Sequence, residues 1–503
     1  MLHDVAPLSS RDSDVWENVH LSKKLETQLE DAFSICCGTY SPWIDTLIAE
    51  CKFLFSRELR EKFFQATAFG NTRSLHWFRN QFNLDDSSSS SGGDIGGFAG
   101  GGIYNHEITI SPIPKERVKV HRDKILSSAE AVMKMHSKRK AILDVVFAGE
   151  KGYGSGVTAS FYSATAQALL SAVVRDPSLR YWIPGQEDPS VEGENSVIRH
   201  PNGLFPFPHR DPHQKLVDRF RMMGRLAGKA LMDGRLFPLP LSTHFIQLVL
   251  GERLSGQYLS SIFSSHGRIL RNLKSAAHEI QCGKTAATIS VDGLQLEDWL
   301  AAASLTFIDP LSQEALRPGG DDEDVTTTNL VEYVDTVERL WLGDGIRAQV
   351  NAFRDGIGDV LPVQKLKLLN VSELLALLCG HADIDWNAES LLKTMKLAHG
   401  YTKDSPPVRF FVEALEAMPV RERRDFLLYA TGCPNLPAGG FAALRPPFEV
   451  VRRIVDSDNV DQSLPFARTC TNTLHLPAYS SLDVLKERLH YAIVNSQGVI
   501  DRD

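Results

Sequence analysis

Several things are scarce in this 503-residue sequence, and each scarcity removes a class of protein. Its seven cysteines stand at 36, 37, 51, 282, 379, 433 and 470, an odd number without regular spacing. That pattern argues against a disulfide-stapled secreted domain and fits a reducing compartment. No run approaches the roughly 18 apolar residues that span a bilayer. The opening stretch MLHDVAPLSSRDSD also lacks a basic region followed by an apolar one, so no membrane partner is expected. Basic residues number 54 against 62 acidic, for a net charge of −8, which disfavours a general nucleic-acid partner. The clusters KMHSKRK (134–140) and RERR (421–424) read as solvated helix faces. No internal repeat of 20 to 50 residues is visible.

The familiar catalytic signatures are missing too. GEKGYGSGVT (149–158) has the glycines of a phosphate loop without its Lys-Ser/Thr pair, and it reads as a tight turn. CGKT (282–285) has the Lys and Thr but lacks the glycine five residues before Gly283. Neither a Gly-x-Ser-x-Gly elbow nor a His-Glu-x-x-His zinc site occurs, and no Cys or His spacing converges as a metal would need. No cofactor and no metal are expected. The adjacent Cys36 and Cys37 read as core packing.

What is present suits a globular chain of two or three domains, with 43% hydrophobic and 23% charged residues. The first 84 residues read as a helical segment. DDSSSSSGGDIGGFAGGG (85–102) cannot bury enough apolar surface to offset its ordering entropy, so 85–117 is expected to be a linker, disordered in part. HRDKILSSAEAVMKMHSKRKAILDVVF predicts a helix running into a strand. HQKLVDRFRMMGRLAGKALMDGRL (213–236) predicts a long amphipathic helix in which Gly224, Ala227 and Gly228 permit close packing. FEVVRRIV (448–455) reads as a strand in a smaller α/β unit that closes the chain. The last helix is expected to begin at Ser480 with Asp483, to bury Leu482, Leu485, Leu489 and Ala492, and to end at Gly498.

Near that helix lies LPFARTCTNTLHLPAYSS (464–481). A lone cysteine is ordinarily a small buried hydrophobe, but Pro465 and Pro477 bracket a stretch without strong helix formers. Cys470 is therefore expected on a loop or strand edge, where a thiol can be approached. Arg468 could favour its thiolate. The hydroxyls of Thr469 and Thr471 could serve either a thioester carbonyl or the local backbone. An ordinary thiol suffices to attack an activated acyl group, whereas amide cleavage would need a base, an oxyanion hole and a leaving-group acid. His475 and His490 are near in sequence, without any protease-like signature. Acyl exchange between thiols is better supported than proteolysis.

At this point the residues resemble the HECT-type ubiquitin-protein ligases. TCTNTLHLPAYSS (469–481) is similar to their Thr-Cys-x-Asn-x-Leu-x-Leu-Pro-x-Tyr signature, and ATGCPNLPAGGFAAL (430–444) to their Thr-Gly-x-x-x-Leu-Pro-x-Gly-Gly-Phe segment. VTTTNLVEYV (325–334), QVNAFRDGI (349–357), LLCG (377–380) and GLFPFP (203–208) match in the same order. The segment CKFLFSRELREKFFQATAFG (51–70) resembles the region preceding this domain in the ubiquitin-fusion-degradation branch, which includes plant ubiquitin-protein ligases. Longer members of that branch carry armadillo-type repeats farther upstream, so the chain is expected to be a short form or a carboxyl-terminal part.

The resemblance implies an α+β, bilobal domain. A larger, mainly helical N-lobe at 118–381 would hold an E2-binding (ubiquitin-conjugating-enzyme-binding) subdomain near 255–330. A hinge would lie at 382–385, and a smaller α/β C-lobe at 386–503 would bear Cys470. Ubiquitin, an E2 and protein substrates are the implied partners, and an intracellular location in cytoplasm or nucleus follows. Cys470 is the implied thioester nucleophile, with Thr469, Arg468 and His475 as supporting candidates and Ile269, Leu270 and Leu273 as candidate E2 contacts. The family often has Ser and Arg where this chain has Cys433 and Asn435, and Phe near the fourth position from the end, where it has Ile500. Those departures motivate an alternative: an E2-binding or regulatory scaffold of the same fold that transfers ubiquitin weakly.

Overall fold

A computed structural model describes residues 16–81, 112–150, 152, 154–170, 179–183, 202–381, 386–455 and 457–495. The expected hinge at 382–385, Gly498, Ile500 and most of the expected linker lie outside the described residues. Internal packing divides the chain into two units. The first comprises the described residues of Met1–Thr165, Leu226–Pro238 and Ile357–Asp503, and the second those of Ala166–Arg225 and Leu239–Gly356.

In the first unit, the amino-terminal segment forms the helices Val19–Glu30, Ala32–Cys37, Trp43–Glu50, Arg57–Thr67 and Asn71–Gln81. Asn18 and Ser56 cap two of them by accepting the free amides of Leu21 and Leu59. Leu59, Phe63 and Ala66 recur at helical spacing and are buried. Arg60, on the same helix, is buried and makes a two-pronged pair with Glu373 while also donating to the Phe55 and Leu368 carbonyls. Burial alone would raise the Glu373 carboxyl, but the guanidinium outweighs it and holds the group below its ordinary value. Stranding either charge of such a buried pair costs about 3–5 kcal/mol. Arg73–Asp233 at 2.6 Å and Lys365–Asp45 at 2.6 Å add further ties. The amino-terminal helices are therefore packed into this unit.

Strand β1 (Lys115–Val120) begins inside the stretch expected as linker, because Val118 and Val120 are buried against β2 (Ile142–Phe147) in a parallel pair. The helix Ile125–His136 joins the two strands, as expected. The long helix Gln214–Met232 also forms. A side chain at Gly228 would meet Val360 Cβ at 2.9 Å, which explains the small residue there. Cys36 is buried, whereas Cys37 is exposed, a correction to the core expectation for the pair.

In the second unit a short hairpin, β3 (Ser290–Val291) and β4 (Leu294–Gln295), accompanies the helix Leu259–Gln281. Trp341 is fully buried there and donates its indole N–H to Asp309 at 2.7 Å. Asp309 also accepts the amides of Leu311 and Ser312, so this buried carboxylate is well supplied with donors.

The first unit closes with β5 (Lys396–Ala398), β6 (Glu449–Arg453), β7 (Phe466–Arg468) and β8 (Thr473–Pro477), in the order β5-β6-β8-β7. Only the β7–β8 pair is antiparallel. Val450, Leu474 and Leu476 are fully buried in one core with Phe411, Phe426, Leu485 and Leu489 from the covering helices Pro406–Glu416, Val420–Thr431 and Leu482–Asn495. The last helix starts at Leu482, one residue later than a Ser480 cap allows: Ser481 accepts the Val484 amide at 3.4 Å, while Ser480 bonds to Asp461.

Candidate active site

Antiparallel β7 and β8 need only a short connection, and here it is the four-residue turn 469–472 with Cys470 second in it. The turn closes on Asn472, whose φ of 51° lies in the left-handed region that Asn tolerates better than most residues. Asn472 is buried, its side-chain amide donates to the Pro446 carbonyl at 2.6 Å, and its own carbonyl accepts the Glu449 amide at 2.9 Å. Thr471 N–H donates to Arg468 O at 3.2 Å. These bonds hold the turn rigidly against β6 and leave Cys470 partly open to solvent.

A second contact holds the turn from outside the hairpin. Ser155 Oγ donates to the Cys470 carbonyl at 2.9 Å. The next residue, Gly156, lies so close that a Cβ would stand 2.4 Å from the Thr469 carbonyl carbon and oxygen and 2.5 Å from Cys470 N. Both residues open the helix Ser155–Leu170, in the glycine-rich stretch read as a tight turn.

The supporting candidates are placed differently from one another. Thr469 lies in the turn beside Cys470 and is partly buried, whereas the Thr471 hydroxyl is taken by local bonds to Arg468 O and Thr473 Oγ1. Arg468 ends β7, exposed, with its guanidinium 6.0 Å from the Phe466 ring. His475 is two residue pairs away from the turn, opposite Phe466, and the two rings stack at 4.2 Å. Its Nε2 is buried without a partner among the described residues. Burial, then Arg468, His399 and Arg453, lower its pKa, so the neutral ring is favoured. The register gives His475 a packing role rather than a place beside the thiol.

Cys433 and Asn435 are structural. Burial pushes the Cys433 thiol up to about 11, and the Thr431 hydroxyl accepts its amide at 3.3 Å and donates to its carbonyl at 3.1 Å. Asn435 is buried and donates to the Cys379 carbonyl at 2.6 Å. Of the three candidate E2 contacts, Leu270 and Leu273 are 3% and 1% exposed and belong to the core of the second unit, a correction to their expected role. Ile269 is at the surface, 36% exposed. Among the described residues no cluster of three or more His, Cys, Asp or Glu is arranged to hold a metal.

The turn that presents Cys470 lies within residues 168–499, which match the family model for the HECT-domain (ubiquitin-transferase). The chain belongs to the HECT family. This HECT chain is 33% identical to the E3 ubiquitin-protein ligase UPL3 of Arabidopsis thaliana, over 97% of its own length and 27% of that protein's. It is 32% identical to UPL4 of the same plant, over 95% of this chain and 31% of the relative. The similarity to the E3 ubiquitin-protein ligase TRIP12 of Danio rerio is 31%, over 95% and 24%. These relatives agree with the ubiquitin-fusion-degradation branch inferred from residues 51–70. The HECT chain thus spans about a quarter to a third of the length of the curated relatives it matches.

The glycine-rich approach of Ser155 and Gly156 was not assigned to the site from sequence. Its signal was glycine density alone, which a tight turn explains equally well.

Proposed function

We propose that this chain is an E3 ubiquitin-protein ligase that accepts ubiquitin from an E2 as a thioester on Cys470 and passes it to a substrate lysine. The observation that carries the reading is a partly exposed cysteine held on a rigid turn inside the HECT match. In the first step the Cys470 thiolate attacks the carbonyl of the E2-bound ubiquitin thioester and expels the E2 thiolate. One thioester replaces another, so no strong base is required. In the second step an uncharged lysine amine attacks the Cys470 thioester, an isopeptide bond forms, and the Cys470 thiolate leaves. The amine must lose its protons to a base or to solvent, because a free lysine has a pKa of about 10.4.

Residues 118–381 would form the E2-docking N-lobe, 382–385 the hinge and 386–503 the C-lobe. A hinge suits the chemistry, since one thiol must meet a donor and an acceptor in turn. The E2 would dock on the subdomain near 255–330, with Ile269 at its surface and Leu270 and Leu273 supporting it from below. Such a ligase works where ubiquitin, E2 and ATP coexist, inside the cell in cytoplasm or nucleus, and the relatives' names suit a role in proteasomal degradation. The weak-scaffold alternative has no observation specifically in its favour.

The test is incubation with ubiquitin-activating enzyme, a panel of E2 enzymes, ATP and ubiquitin, read on non-reducing gels. A reductant-sensitive ubiquitin adduct is expected with the wild-type chain and is lost in Cys470→Ala. No adduct with any E2, or an undiminished adduct in the variant, refutes the reading.

A further inference from the structure

The four-stranded sheet that carries the Cys470 turn has two unlike faces. Leu397, Val450, Ala467, Leu474 and Leu476 pack into the core beneath the covering helices. Cross-strand partners share a face, and every second residue along a strand returns to it. The register therefore puts Lys396, Glu449 and Arg468 in one row of the opposite face, His475 and Phe466 in the next, and Arg453 beyond them. Lys396 and Arg468 are exposed, and Glu449, Arg453, Phe466 and His475 are half-buried. In a chain of net charge −8 this face is cationic. Glu449 pairs across the strands with Lys396 and offsets its charge. Arg453 and Arg468 have no carboxylate partner among the described residues. Arg453 donates to the Leu464 carbonyl, and the two guanidiniums lie 5.2 and 6.0 Å from the centre of the Phe466 ring. His475 stacks on that ring at 4.2 Å, so the row between the two arginines is a flat aromatic floor. Like charges crowd here: after burial, the groups that hold the His475 pKa down are Arg468, His399 and Arg453.

We propose that this face seats the acceptor protein: it binds an acidic stretch beside the lysine that takes ubiquitin, with Arg453 and Arg468 as specificity-determining residues. The inference rests on the ligase reading above and deepens it. Arg468 stands two residues before Cys470 in the chain, so a segment laid along this face brings its lysine to the turn. The row of Arg468 and the row of Arg453 are four residues of strand apart, about 13 Å, a span that an extended peptide covers in about four residues. Acidic side chains within about four residues of the lysine therefore reach both guanidiniums, whose planar forks match carboxylates. The aliphatic parts of the same side chains rest on the Phe466–His475 stack. A strip this narrow fits an extended segment better than the folded surface of an E2.

The test loads the full chain with ubiquitin from an E2, quenches loading, and follows discharge to short end-blocked peptides in which a single lysine is flanked on both sides by Glu, Gln or Arg. At low salt the half-saturating concentration is expected to be about tenfold lower for the Glu peptide than for the Gln peptide, and highest for the Arg peptide, because each exposed charge pair is worth up to about fivefold. Maximal rates stay similar, since the face binds the acceptor and does not touch the thioester. The Glu preference falls to within about twofold of unity in the double variant Arg453→Gln, Arg468→Gln, and in about 0.5 M salt, which screens exposed charges. Arg468→Lys keeps the charge and most of the preference. Because the preference is a ratio within one preparation, a general loss of activity does not imitate it. Arg468 is exposed, so Arg468→Gln alone, expected to lower the preference about threefold to fivefold, covers the case in which the double variant fails to fold. Equal half-saturating concentrations for the Glu and Gln peptides in the wild-type chain overturn the proposal, as does a preference that survives the substitutions. Slower loading with an intact preference gives the face to the E2 and equally refutes it. If the wild-type chain forms no adduct, the ligase reading fails; the face is then judged by fluorescence anisotropy of the labelled peptides, and equal affinity for Glu and Gln peptides, or undiminished Glu-peptide binding in Arg468→Gln, refutes it.

Discussion

Cys470 and Cys433 stand in two turns of the same unit, each within two residues of a threonine and both in segments that resemble HECT motifs, yet the fold treats their thiols in opposite ways. Cys433 follows the glycine that ends the helix Val420–Thr431, and its thiol is buried. The Thr431 hydroxyl serves its backbone. Cys470 sits at the tip of a hairpin whose closing residue, Asn472, is the buried one. Burial falls on the support in one turn and on the sulfur in the other, and only the second arrangement silences a thiol.

The comparison is broken most directly by chemical labelling. Raising a thiol from 9.0 to about 11 lowers its thiolate fraction near neutral pH about a hundredfold. Iodoacetamide at pH 7.5 followed by peptide mapping is expected to modify Cys470 while Cys433 reacts more than a hundredfold more slowly than an ordinary exposed thiol, until denaturant is added. Comparable labelling of the two cysteines would erase the distinction.

A smaller effect is expected from the support of the Cys470 turn. Asn472→Ala places a non-glycine without the Asn amide at a φ of 51° and leaves the Pro446 carbonyl without its donor. The expected cost is about 1–3 kcal/mol in urea denaturation. Thr471→Ala, exposed in the same turn, should stay within about 0.5 kcal/mol.

The smallest effect concerns His475. Its pKa is lowered from 6.5 in the folded chain, so as pH falls the unfolded chain takes up the proton first and stability declines below about pH 6.5. His475→Phe keeps an aromatic ring against Phe466 and removes the titration. It is expected to flatten that acid-side decline, as followed by melting temperature between pH 5 and 7, with solvent screening of the partly exposed ring keeping the effect small. Loss of ubiquitin loading in this variant would restore His475 to the catalytic group.

Much of this protein was legible along the chain because the signals were local. The helix Ile125–His136, the long helix Gln214–Met232 and strand β6 follow from hydrophobic period, and the bracketing prolines placed Cys470 on an approachable turn. What failed was whatever depended on which face of an element meets which neighbour. Ile269, Leu270 and Leu273 look alike as apolar helical residues, yet packing sends two of them into the core and one to the surface. His475 is near Cys470 in sequence, but strand register turns that nearness into a stack on Phe466.

By itself, then, the sequence determined the family, the candidate cysteine and most of the helices around it, because residue type and spacing act over a few turns of chain. Tertiary structure alone decided that Arg60 would meet Glu373 some 313 residues away. It also decided that a glycine at 156 would make room for a carbonyl at 469. Contacts of that range depend on close packing of folded surfaces, where a single Cβ decides whether two backbones can touch.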